Sequence, residues 1–192
     1  MAGRGLAADQ KIAFSEGMSL VFLDESGFML QPLVRRTWAL RGQTPVIKSW
    51  VRHARLSVIS VVTVSPRQNR LGLYFEVLRE NVKTDAVQGF LRRLRRHLPR
   101  RMLVVMDRLN AHRSAERLLS SKRPGWFEIE YLPAYAPELN PVEYIWANVK
   151  FGKLSNFVPK DVDHLEGRVS ASLDAVTTDI IKGAFQHAGL SL

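Results

Sequence analysis

Short continuous apolar runs alternate along this chain with stretches of helical period. Leu20-Val21-Phe22-Leu23 is the first run; it reads as a buried strand, closed by a turn at Asp24-Glu25-Ser26-Gly27. Residues 36–40 (RTWAL) suggest a second strand, closed by Arg41-Gly42-Gln43-Thr44-Pro45. Residues 55–64 (RLSVISVVTV) are dense in β-branched side chains and predict the strongest strand, turned at 65–69 and returning as a hairpin through 71–78. The period then changes. Thr84 suits a helix N-cap, and Val87, Phe90, Leu91, Leu94 and Leu98 follow at helical spacing.

The second half repeats the alternation. MLVVM (102–106) predicts a buried strand ending at Asp107, and Ser114–Ser121 a short helix. A strand over Trp126–Leu132 and a rigid loop at 133–137 come next. Asn140-Pro141 opens another helix, with Asn as N-cap and Pro at its first position. Residues 162–188 suit one or two closing helices, and residues 1–19 read as a tail or linker before a single domain over 20–192. Strands first, then strands alternating with helices, give an α/β class: a mixed sheet with helices against it. Trp38, Trp126 and Trp146 are assigned to the core.

Composition narrows the partners. The chain has 192 residues, 46% of them apolar, enough for a real core. It has no cysteine, which excludes disulfides and thiolate zinc sites and fits a cytoplasmic setting. No apolar run reaches membrane-spanning length. Lys and Arg total 28 against 18 acids, a net charge of +10 that favours a polyanionic partner. Arg92, Arg93, Arg95, Arg96, Arg100 and Arg101 crowd six arginines into ten positions, with no acid among them. They lie off the apolar stripe, and read either as a DNA-backbone contact or as a solvated face.

Asp24 and Asp107 each end an apolar run, and strand ends are where open α/β sheets gather functional groups. Two such carboxylates side by side repel unless a cation separates them, and magnesium prefers such oxygen ligands. Taken singly, each also suits a turn cap. Glu143, three residues after Asn140, is the candidate third ligand, although its spacing equally suits a capping box. Glu138, just outside the helix, is its rival.

Four blocks, LVFLDESG (20–27), RRTWALRGQTP (35–45), VVMDRLNAH (104–112) and YLPAYAPELNPVEYIWANVK (131–150), resemble the DDE-type transposases of the mariner superfamily. The likeness is to the bacterial insertion-sequence branch and runs from about Leu20 to the C-terminus. It implies a ribonuclease-H-like fold, a five-stranded mixed sheet flanked by helices. It also implies that Asp24, Asp107 and Glu143 are both the catalytic residues and the metal ligands. The 35 residues between Asp107 and Glu143 match the family's gap. Two Mg²⁺ or Mn²⁺ ions are implied, Asp24 bridging both, Asp107 and Glu143 binding one each. The expected reaction is DNA cleavage by water, then attack of the freed 3′-hydroxyl on target DNA.

His112, five residues after Asp107, is expected to contact the scissile phosphate or support the metal ligands. Asn110 is expected to steady the same loop, and Glu25 to point to the opposite side of the strand from Asp24. The implied partners are DNA (element ends and target) and a possible second copy of the chain. Relatives carry a helix-turn-helix region before the first Asp, for which about 20 residues leave no room. A separate frame is therefore expected to supply it, unless the copy is truncated. The alternatives are a degenerate or domesticated DNA-binding remnant, and a nuclease that cuts without joining.

Overall fold

A computed structural model describes residues 6–49, 54–98, 101–122 and 125–192. It contains the expected five-stranded mixed sheet, with strands β1 (Ser19–Met29), β2 (Arg55–Val64), β3 (Leu71–Leu78), β4 (Met102–Met106) and β5 (Phe127–Tyr131). Their order across the sheet is β3-β2-β1-β4-β5. The pairs β1–β2 and β2–β3 are antiparallel, whereas β4 lies parallel to both β1 and β5. The apolar runs at β1, β2 and β4 are continuous because both faces of these strands are covered.

Among the described residues six α-helices cover the sheet: α1 (Leu6–Ser15), α2 (Thr84–His97), α3 (Asn110–Lys122), α4 (Pro141–Ala147), α5 (Val162–Asp174) and α6 (Thr178–His187). The core divides by period-two alternation. Leu20, Phe22, Val58, Val62, Leu103 and Val105 face one side, under α4, α5 and α6. Val21, Leu23, Ile59, Val61, Val104 and Met106 face the other, under α2 and α3. No helix among the described residues is long and apolar enough to cross a membrane.

Several local expectations are corrected. Asp24–Gly27 is not a turn: β1 continues through it, paired with β2 as far as Met29↔Arg55. A long antiparallel partner outweighs the turn preference of four residues. Residues 36–40 form no strand, since none of the described residues pairs with them, and Trp38 is fully exposed rather than core. The segment read as a tail contains α1, which closes on the core through Ala13, with Met18 buried behind it. The N-cap of α2 is Lys83, without a side-chain cap bond, so Thr84 is already helical. Helix α3 starts at Asn110, four residues earlier than its pattern suggested.

Candidate active site

Strand β1 carries adjacent acids to opposite faces of the sheet. Asp24 follows Phe22 towards α4; Glu25 follows Leu23 towards α3. On the α4 side, Asn140 fixes the helix start twice. Its Oδ1 accepts from the Val142 amide at 3.1 Å, and its Nδ2 donates to the Leu23 carbonyl at 3.4 Å. Such a cap contributes about 1 kcal/mol to a helix. Here it also ties α4 to the residue before Asp24. The capping box does not form: the Asn140 amide donates to the Pro137 carbonyl at 2.9 Å. The Glu143 carboxylate is thus not needed there, and it remains exposed.

From Glu143, steps of three and seven residues reach Trp146 and Lys150, which share its helix face. Trp146 is buried, and its Nε1 donates to Asp24 Oδ2 at 2.9 Å. Burial pushes the Asp24 carboxyl up to about 7, with further pushes from Glu143 and Glu25; the Trp146 bond and the Glu25 amide oppose them. Burial also lowers the Lys150 ammonium, against the pull of Glu143 and Asp24. It is Glu143, not its rival Glu138, that acts on Asp24. Lys150 continues the chain in a π-helical turn, Asn148–Lys153, an irregularity often found at functional sites.

Asp107 follows β4. The last β1–β4 rung is Phe22↔Val105, so Asp107 leaves the end of β4 on the strand next to the one that carries Asp24. The Asp107 Oδ1 accepts from the Leu109 amide at 3.0 Å and lies 2.6 Å from His112 Nδ1. The other ring nitrogen of His112, Nε2, lies 2.6 Å from Glu25 Oε1. Burial lowers the imidazole, but Asp107 and Glu25 outweigh it and raise it to about 10, so the ring is a cation donating to both carboxylates. Burial pushes the Asp107 carboxyl up, but the His112 and Leu109 bonds prevail and hold it below its usual range.

Asp24 and Asp107 thus lie on the neighbouring central strands β1 and β4, and α4 carries Glu143 over Asp24. Yet among the described residues no three His, Asp or Glu side chains close into a cluster ready to hold a metal ion. Asp107 is turned towards His112, and like-charged carboxylates do not close on one another without a cation. His112 sits wholly buried on α3 rather than in a loop, and touches both Asp107 and Glu25. Asn110 accepts from Arg113 at 2.8 Å and steadies the α3 start rather than Asp107.

The arginines are dispersed. Arg93 pairs with Glu76, and Arg101 with Glu128 and Glu16. Arg95 donates to the Leu98 carbonyl at 2.8 Å and stacks 5.3 Å from the Trp126 ring centre. Arg92 and Arg96 are exposed, and Arg100 lies outside the described residues. Arg101 precedes β4 whereas Asp107 follows it, so the two are separated by the strand's length, about 17 Å. The reading of the sequence missed Glu25 as a partner of His112, Trp146 as a donor, and Lys150. Only the three- and seven-residue steps from Glu143 signal the last two; nothing local signals the first.

A family model described as "DDE superfamily endonuclease" matches residues 19–166, well over half of the chain. The chain belongs to this family. Among solved structures, this DDE endonuclease domain is similar to the Mos1 transposase paired-end complex with left transposon end, at 17% identity and a TM-score of 0.65. It is similar also to the Mos1 mariner paired end complex with Mn, at 17% identity and a TM-score of 0.64. Each alignment covers 95% of this chain, but 57% and 58% of the Mos1 chains respectively. The domain thus spans somewhat over half the length of those relatives, and the likeness establishes the ribonuclease-H-like fold. A search of curated proteins found no similar sequence.

Proposed function

We propose that this DDE endonuclease domain is the catalytic part of a transposase, cleaving DNA strands and joining them to target DNA. The observation that carries the reading is the fastening of α4, which bears Glu143, to β1 beside Asp24. Asp24 and Asp107 lie on neighbouring parallel strands, and Asn140 and Trp146 tie the helix bearing Glu143 to Leu23 and Asp24, which supports this reading. This all-oxygen donor set, with a half-buried Asp24 repelled by Glu143, suits a hard divalent cation such as Mg²⁺ or Mn²⁺. One of the similar Mos1 complexes was solved with Mn and another with Mg. When bound between Asp24, Asp107 and Glu143, two such ions would neutralise charge on the attacking and leaving oxygens of a phosphoryl displacement.

The chain's own groups do the positioning. Trp146 holds one Asp24 oxygen in place. Lys150 offsets the negative charge of Asp24 and Glu143. His112 fixes the Asp107 carboxylate. The net charge of +10 supports DNA as the partner, held through its phosphates. Recognition of element ends is assigned to a helix-turn-helix partner or fused region, and the working assembly to a dimer.

The test is cleavage and strand transfer of terminal-repeat DNA in Mg²⁺ or Mn²⁺. Asp24→Asn, Asp107→Asn and Glu143→Gln should each abolish both steps while leaving the melting transition cooperative. Cleavage at the wild-type rate by folded Asp107→Asn would remove that residue from the chemistry. Cleavage without any joined product would reduce the proposal to a nuclease.

A further inference from the structure

Glu25 is misplaced by ordinary folding criteria. It lies in the middle of β1, opposite Ile59, on the face lined by Val21, Leu23 and Val61. Its side chain is 14% exposed, and its Oε2 is buried without a hydrogen-bond partner. A carboxylate on an apolar face with an orphaned oxygen costs stability, and nonpolar residues of similar size would serve the core at least as well. What it does have is one short contact, Oε1 to His112 Nε2 at 2.6 Å.

His112 is equally committed. With Ala115 and Leu119 it forms the buried stripe of α3, at spacings of three and seven, and its side chain is 0% exposed. Anchored by packing and by Glu25, its ring meets one further acceptor residue among the described ones. That acceptor is Asp107, through Nδ1 to Oδ1 at 2.6 Å, with the backbone carbonyl of Asp107 at 3.2 Å. Oδ1 also takes the Leu109 amide. One oxygen of Asp107 is therefore fully engaged from the α3 side, and its orientation is set from across the sheet.

We propose that Glu25 is a positioning residue: through His112 it locks Asp107 Oδ1 from the far face of the sheet and so presents Oδ2 to the metal site. Glu25 touches neither DNA nor metal; it acts through two side chains. The inference rests on the metal-binding reading above and adds to it a residue whose own position faces away from the site. Partners that orient a liganding group typically change metal affinity by about 10–100-fold when removed.

The test is Mn²⁺ binding by the whole chain without DNA, followed by the spin-resonance signal of free Mn²⁺. Glu25→Ala should weaken Mn²⁺ by about 10–100-fold, whereas Glu25→Gln, whose amide oxygen still accepts from Nε2, should stay near wild type. In an Asp107→Asn background, Glu25→Ala should cause no further loss. Wild-type affinity in Glu25→Ala, or an equal further loss on top of Asp107→Asn, would overturn the positioning role and leave the metal site standing. If the wild-type chain takes up no Mn²⁺, the metal reading itself falls and this inference with it. Should Glu25→Ala fail to fold, His112→Gln carries the test: it keeps a polar side chain but cannot span both carboxylates, and the same 10–100-fold loss is expected.

Discussion

Replacing Asp24 with Asn should stabilise the metal-free protein at high pH while destroying its activity. The folded carboxyl is pushed from 3.8 to about 7, so the native state holds a proton that the unfolded chain has released. Between those values the folded state binds more protons, and stability falls as pH rises. Below about pH 4 both states are protonated and nothing is lost. A displacement of about three pH units corresponds to roughly 4 kcal/mol in full. Solvent screening of the partly exposed carboxyl reduces this, and about 2 kcal/mol is the expected gain above pH 7. The amide oxygen of Asn can still accept from Trp146, so packing is preserved. For a chain of this size about 2 kcal/mol raises the melting temperature by roughly 4–8 °C. The assay is thermal unfolding in EDTA at pH 4 and pH 8, wild type against Asp24→Asn. His112 must be separated from this: its raised value contributes stability below about pH 6.5 that is lost towards pH 10. It does so in both proteins, so their difference isolates Asp24. An equal gain at both pH values, or none at pH 8, would refute the reasoning. Mg²⁺ or Mn²⁺ should likewise stabilise the wild type at pH 8, by about 2.7 kcal/mol at a hundredfold excess over Kd, and do so far less in the variant.

Neutralising Arg92 and Arg96 together should weaken binding to all DNA sequences alike and flatten the plot of log affinity against log salt by up to about two units; an unchanged slope would return both to a solvated face. Arg93, Arg95 and Arg101, already engaged within the chain, should each change that slope less, checked by the same titration. The isolated chain should bind terminal-repeat and scrambled DNA with similar Kd, on the order of 10⁻⁴–10⁻⁶ M at physiological salt. A preference above about a hundredfold in competition would reveal a recognition element within these 192 residues.

Local pattern alone determined much of this protein. The β-branched run at 55–64 and its return at 71–78 pair as a hairpin, MLVVM is a buried strand, and Asn140-Pro141 starts the helix carrying Glu143. These features depend on neighbours a few residues apart, where periodicity and capping act. What lies between distant segments was decided only by tertiary structure. Pairing with β2 drew Asp24–Gly27 out of a turn and into β1, while Trp38, with no strand partner among the described residues, stands in solvent. Trp146 lies 122 positions from the carboxylate to which it donates, and His112 lies 87 from Glu25. The arginine run, uniform in sequence, was divided by acids on β3 and β5 that sit beside it only once the sheet has formed. A strand's alternation puts neighbouring side chains on opposite faces, but what waits there is set by how the helices pack. Asp24 could therefore be read from the sequence as an end-of-run carboxylate, whereas Glu25 acquired its partner only when α3 closed over the other side of the sheet.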